Sequence, residues 1–130
     1  MKAPQALLLI CTLACFGLPA QAADRVRAGQ WDTTLNLNGR MMTRSACITQ
    51  SDADAINGDA RSIRAYVEKV SAPDACKVTD VKVNGNQVIV TTVCAAGKEN
   101  VGTTTYHGDS SETVNTNGAK AQAKWVGACK

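Results

Sequence analysis

Few residues in this chain are of a type that performs covalent chemistry. The single histidine, His107, stands in the run His107-Gly108-Asp109-Ser110-Ser111. A nucleophilic serine needs a histidine and an acid to converge on it in a fixed order, and neighbours this close on a strand end and turn do not arrange themselves that way. A Gly-x-Ser-x-Gly elbow is also missing, so His107 reads as an exposed strand-end residue. Asp52, Asp54, Asn57 and Asp59 have the side chains of calcium ligands. Counted from Asp52, however, the fifth, sixth and twelfth positions are Ile56, Asn57 and Ile63, where an EF-hand loop needs an acid, a glycine and a glutamate. Helix capping is the simpler account of these acids. The eleven acids are scattered and carry no glycosidase pattern. No catalytic or metal-binding residue is assigned, and no cofactor is expected.

Binding chemistry has somewhat better candidates. Trp31 and Trp125 fall in the first and last segments of strand character, with Met41 and Met42 between them in sequence. Core packing is the default for such residues. Lining the mouth of a barrel is the functional alternative, with Trp31, Met41 and Trp125 facing a small apolar ligand. Arg25, Arg27, Arg40 and Arg44 could form a weak anion-binding stripe, but such arginines are far more often a solvated face or edge protection. Net charge is only +3, too little and too scattered to indicate a nucleic-acid partner.

The chain has 130 residues, 45% hydrophobic and 19% charged, which is globular composition and excludes disordered, collagenous and polytopic membrane classes. Its start reads as an export signal: Lys2, an apolar run over residues 6–18, Pro19, then Ala20-Gln21-Ala22 before a cleavage point at Ala23. The run is shorter than the roughly 20 residues of a spanning helix, so no stable membrane span is expected. Residues 1–22 are therefore assigned to a signal peptide and 23–130 to one disulfide-bonded β domain. The expected location is the periplasm, with secretion or a lipoprotein anchored through Cys11 or Cys15 as alternatives.

Removal of the signal leaves Cys47, Cys76, Cys94 and Cys129. No Cys-x-x-Cys spacing occurs among them, so structural disulfides are favoured over a zinc or redox site. Four cysteines allow three pairings. A three-residue turn at Asn84-Gly85-Asn86 pairs Val83 with Gln87 and sets Cys76 opposite Cys94, which leaves Cys47 for Cys129. A two-residue turn would shift the register by one and lose that match.

Those candidates depend on the elements that carry them. Four Asn-Gly dipeptides punctuate the chain, and three separate runs rich in Val, Thr, Ile and Leu, the strongest short-range hairpin signal. The expected hairpins are 30–37 with 40–48, 77–83 with 87–95, and 112–116 with 119–126. A further strand runs over 100–107 and turns at Gly108-Asp109. Alternation in the first arm places Trp31, Thr33, Leu35 and Leu37 on one face. Between the first two hairpins, Ser51 is the expected cap of one helix that stops at Asn57-Gly58. Asp59 is the expected cap of a second helix, running to Lys69 and ended by Pro73. The expected fold is mainly β: an antiparallel meander of about seven strands forming a curled sheet or small barrel-like sandwich. A short helical insertion between the second and third strands would cover one face or mouth.

The order of several short landmarks resembles the domain of unknown function 3617 family, small exported proteins of Gram-negative bacteria. Ala28-Gly29-Gln30-Trp31 resembles that family's Pro-Gly-x-Trp opening, with alanine in place of the usual proline. Cys47-Ile48-Thr49 resembles its Cys-Leu-Thr segment, Cys76-Lys77-Val78-Thr79-Asp80 its third landmark, Cys94 its next cysteine, and Trp125-Val126-Gly127-Ala128-Cys129 its closing Gly-x-Cys. The resemblance implies export and a four-cysteine framework, and brings no activity, cofactor or catalytic residue. The expected role is non-enzymatic: binding an envelope component or a small apolar ligand. The alternative is a module that binds a periplasmic protein, such as an inhibitor of an envelope hydrolase, through residues 109–111 or the helical region 51–69.

Overall fold

A computed structural model describes residues 24–130, so the expected signal peptide lies outside the described residues. Seven antiparallel strands form one curled sheet: β1 (Gly29–Leu37), β2 (Arg40–Ile48), β3 (Lys77–Asn84), β4 (Gln87–Val93), β5 (Glu99–Tyr106), β6 (Ser110–Asn115) and β7 (Lys120–Gly127). Helices α1 (Gln50–Asn57) and α2 (Ala60–Ser71) lie between β2 and β3, followed by a 3₁₀ turn (Ala72–Asp74) that contains Pro73. The sheet order is β2-β1-β7-β6-β5-β4-β3. β3 to β7 thus form a meander whose last strand returns to pair with β1, while β2 and β3 remain as two unjoined edges. The first and last strands are neighbours without the sheet closing into a barrel.

Turn chemistry accounts for the register. Asn38 and Gly39 both take positive φ, 50° and 87°, as a two-residue primed turn requires. Leu37 then pairs with Arg40, and all nine residues of β1 pair with β2. The β3–β4 hairpin departs from the expected three-residue turn. Its turn residues are Gly85 and Asn86, pairing Asn84 with Gln87 and Val83 with Val88. A bulge at Thr79 then shifts the register back, so that Val78 meets Thr92 and Lys77 meets Val93. Cys76 and Cys94 come opposite each other by a two-residue turn plus a bulge, since one extra residue on the bulged strand offsets one fewer in the turn. The structure pairs Cys76 with Cys94 and Cys47 with Cys129, at Cα separations of 4.0 and 5.4 Å.

The helices begin at polar caps. α1 starts two residues earlier than a Ser51 cap would set it, because the Thr49 side chain accepts the Asp52 N–H at 3.2 Å. Asp59 caps α2 by accepting the Ser62 N–H at 2.9 Å. Strand alternation sends Trp31, Thr33 and Leu35 to the concave face together with Ala121, Ala123 and Trp125 of β7. The helices lie over one end of that face, where Val26, Trp31, Ala53 and Ile56 form the buried core.

Candidate functional site

The segment before β1 shapes this end of the trough. Arg25 is buried, and its guanidinium donates to three backbone carbonyls: Gly85 at 2.9 Å, Ile56 at 2.8 Å and Gly58 at 3.0 Å. Asn57 completes the clasp. Its side-chain oxygen accepts from the backbone N–H of Arg25 and Val26, and its amide donates to the Val26 carbonyl. One strap thereby ties the C-terminus of α1 to the β3–β4 turn, satisfying carbonyls that the helix leaves open. Sequence reasoning placed Arg25 in an exposed stripe and Asn57 in a helix stop. Their partners are about 30 and 60 residues away in sequence, so no local pattern marks them.

Both indoles hold the strap's other end. Trp31 Nε1 donates to the Arg27 carbonyl at 3.0 Å and Trp125 Nε1 to the Ala28 carbonyl at 3.1 Å. Gly29, at φ +138°, leaves no room for a side chain: a Cβ there would run into the Trp125 indole and the Gly127 carbonyl oxygen. The Gly and Trp landmarks are therefore one packing unit. Arg27 stacks over the Trp125 ring at 3.6 Å and pairs with Asp109 at 3.2 Å. The backbone N–H of neighbouring His107 bonds the Ser110 carbonyl at 2.8 Å.

Beneath the helices lies a cavity of about 320 Å³. Trp31, Ile56, Tyr66 and Tyr106 supply its apolar walls, and Thr33, Thr104, Ser111, Thr113, Ala121 and Ala123 its floor. The floor is small because the sequence places Thr, Ser and Ala at these inward positions; Thr104 and Thr113 bond each other at 2.8 Å. Burial pushes the Tyr106 phenol up to about 12, assisted by nearby Tyr66, against a smaller lowering from Arg25. Tyr66 is raised by burial and by Asp52.

Of the predicted lining residues, Trp31 lines this cavity. Trp125 shares its face and packs against the core cluster, but is spent supporting Gly29 and Arg27. Met41 pairs with Asn36 and so falls on the convex face, 63% exposed, because alternation sends it opposite to Met42. Tyr66 and Tyr106 carry the signal that sequence reasoning missed. The chain has only five aromatics, and Trp31, Tyr66, Tyr106 and Trp125 all gather at this site. The acids near α1 are engaged locally: Lys69 pairs with Asp52 at 3.3 Å, and Gln50 donates to Asp54 at 2.8 Å. A hydrogen bond to the Thr49 side chain, followed by the Lys69 contact, holds Asp52 below the usual carboxylate range. Among the described residues no group of three or more His, Cys, Asp or Glu is placed to hold a metal ion, and no helix is long and apolar enough to cross a membrane.

Fold and site together define a disulfide-braced open β trough, roofed at one end by two helices over an aromatic-walled cavity. The chain belongs to the family described as a protein of unknown function, DUF3617, whose model matches residues 26–129. No curated protein and no solved structure matches it.

Proposed function

We propose that this protein is a non-catalytic binding domain of the periplasm, exported through a cleavable signal, whose cavity takes a small apolar ligand. The cavity carries the reading. Its volume of about 320 Å³ falls at the small end of ligand sites, which run from about 300 to 1,000 Å³. It is kept open by small floor residues beneath three aromatic rings. The disulfides fit an oxidising compartment.

Titration with N-phenyl-1-naphthylamine, a neutral apolar fluorophore, tests the proposal. Enhanced emission with saturable binding is expected, weakened at least tenfold in Thr104→Phe, which fills the cavity from its floor. Ala121→Leu, a smaller intrusion, is the companion should Thr104→Phe not fold. Absence of binding, or equal binding by folded filled variants, refutes the reading.

A second reading, a protein-interaction module, is favoured by β2. Its nine residues form a sheet edge with one side unpaired, and eight of them are exposed. A stoichiometric partner retained from periplasmic extract by the native chain, and lost on Thr43→Pro, supports it; retention by both forms refutes β2 as the surface.

A further inference from the structure

The distribution of charge across the sheet is uneven. By register, the strand residues Asp32, Lys82, Glu112, Lys120 and Lys124 all alternate onto the convex face, as do Lys77, Asp80 and Glu99. Arg40 and Arg44 alone among charged strand residues alternate onto the concave face, on either side of Met42. Both are exposed, and among the described residues neither forms an ion pair. Arg44 is the Cα partner of Thr33, which lines the cavity. It therefore stands on the neighbouring strand, diagonal to Trp31, roughly 7–8 Å away. Arg40 lies two inward positions further out, opposite Leu37, with Met42 and Leu35 between. Leu37 and Met42 are 43% and 41% exposed, so beyond Thr33 and Arg44 the concave face offers further apolar surface between the two arginines.

We propose that the ligand of this site is a single-chain amphiphile with an anionic head, carboxylate or phosphate. The alkyl chain enters across Leu35 and Met42 and ends between Trp31 and Tyr106, and the head meets Arg44 and Arg40. Guanidinium forks suit both anions, since two parallel N–H donors match two oxygens. A concave face with two cations and no strand anion favours a negative head over a neutral or positive one. This proposal rests on the cavity reading above and adds the head group to it.

The test compares dodecanoate, dodecyl phosphate, dodecanol and dodecyltrimethylammonium, each below its micellar concentration, by quenching or shift of tryptophan emission. Dodecanoate or dodecyl phosphate is expected to bind at least tenfold more tightly than dodecanol, and the tighter of the two identifies the head. Arg44→Gln should remove at least fivefold of that preference, and Arg40→Gln/Arg44→Gln nearly all of it. Lys120→Gln/Lys124→Gln, on the convex face, removes the same charge and should change affinity less than twofold. Dodecanol binding as tightly as the anions overturns the head-group assignment while the cavity reading stands. So does a preference that survives loss of both arginines or disappears equally with the convex lysines. Failure of every twelve-carbon compound to bind overturns both.

Discussion

Arg25→Met removes the donor that ties three backbone segments together. In the native chain its guanidinium serves the Ile56, Gly58 and Gly85 carbonyls at 2.8 to 3.0 Å. Hydrogen bonds from a charged donor contribute at least about 1.5 kcal/mol each, or about 4.5 kcal/mol for three. Releasing the ordered side chain returns about 2 kcal/mol of rotamer entropy. The expected net destabilisation is therefore about 2.5 kcal/mol, a large fraction of the 5–15 kcal/mol typical of a domain. Urea unfolding with both disulfides intact measures it as a fall in midpoint at unchanged slope. Arg25→Lys keeps the charge but replaces the fork with a point donor, and should fall between the two. Arg61→Met, an exposed cation on α2, should stay within about 0.5 kcal/mol. An Arg25→Met variant as stable as Arg61→Met refutes the strap as an energetic unit.

The two disulfides should differ in worth. In the chain-entropy description, bridges closing separations of 82 and 18 residues stabilise by about 4.5 and about 3 kcal/mol. Double alanine replacement of Cys47/Cys129 should lower the urea midpoint more than that of Cys76/Cys94, and the reverse order refutes a loop-length origin. Tyrosine ionisation reports on the cavity, because both tyrosines of the chain line it. Their folded values are raised, Tyr106 to about 12, above an unfolded value of about 10. The stability contributed by the neutral phenols is fully present below about pH 10 and is lost as pH rises toward 12. Tyrosinate absorbance should appear late in the folded protein and at the ordinary position in denaturant; a normal midpoint in both states refutes the burial of the phenols.

Much of the sheet was legible because its signals are local. Asn38-Gly39 fixes a primed turn by backbone sterics, and alternation from Trp31 to Leu37 fixes which side chains face inward. Asp59 as a helix cap depends only on the following turn. The disulfide match shows how such reasoning succeeds and falters together. Cys76 does oppose Cys94, but through a two-residue turn and a bulge at Thr79 that no composition signal announces. The cavity was only partly legible: ligand lining was the alternative to core packing for Trp31, whereas Tyr66 and Tyr106 come from a helix and a distant strand.

The sequence by itself determined the hairpins, the helix limits to within a turn, the inward faces of the strands and the cysteine framework, since each depends on residues near one another along the chain. Tertiary structure decided which strands are neighbours, and hence everything that spans them. Pairing of β7 with β1 rather than closure into a barrel leaves the trough open. The same pairing presses Trp125 onto Gly29. Long-range hydrogen bonds from Arg25 and Asn57 bring the helices to that end, where Tyr66 of α2 meets Tyr106 of β5 beside a floor of Thr, Ser and Ala. Alternation fixed that Arg40 and Arg44 share a face with Trp31; only the curl of the sheet turned that face into the wall of a cavity.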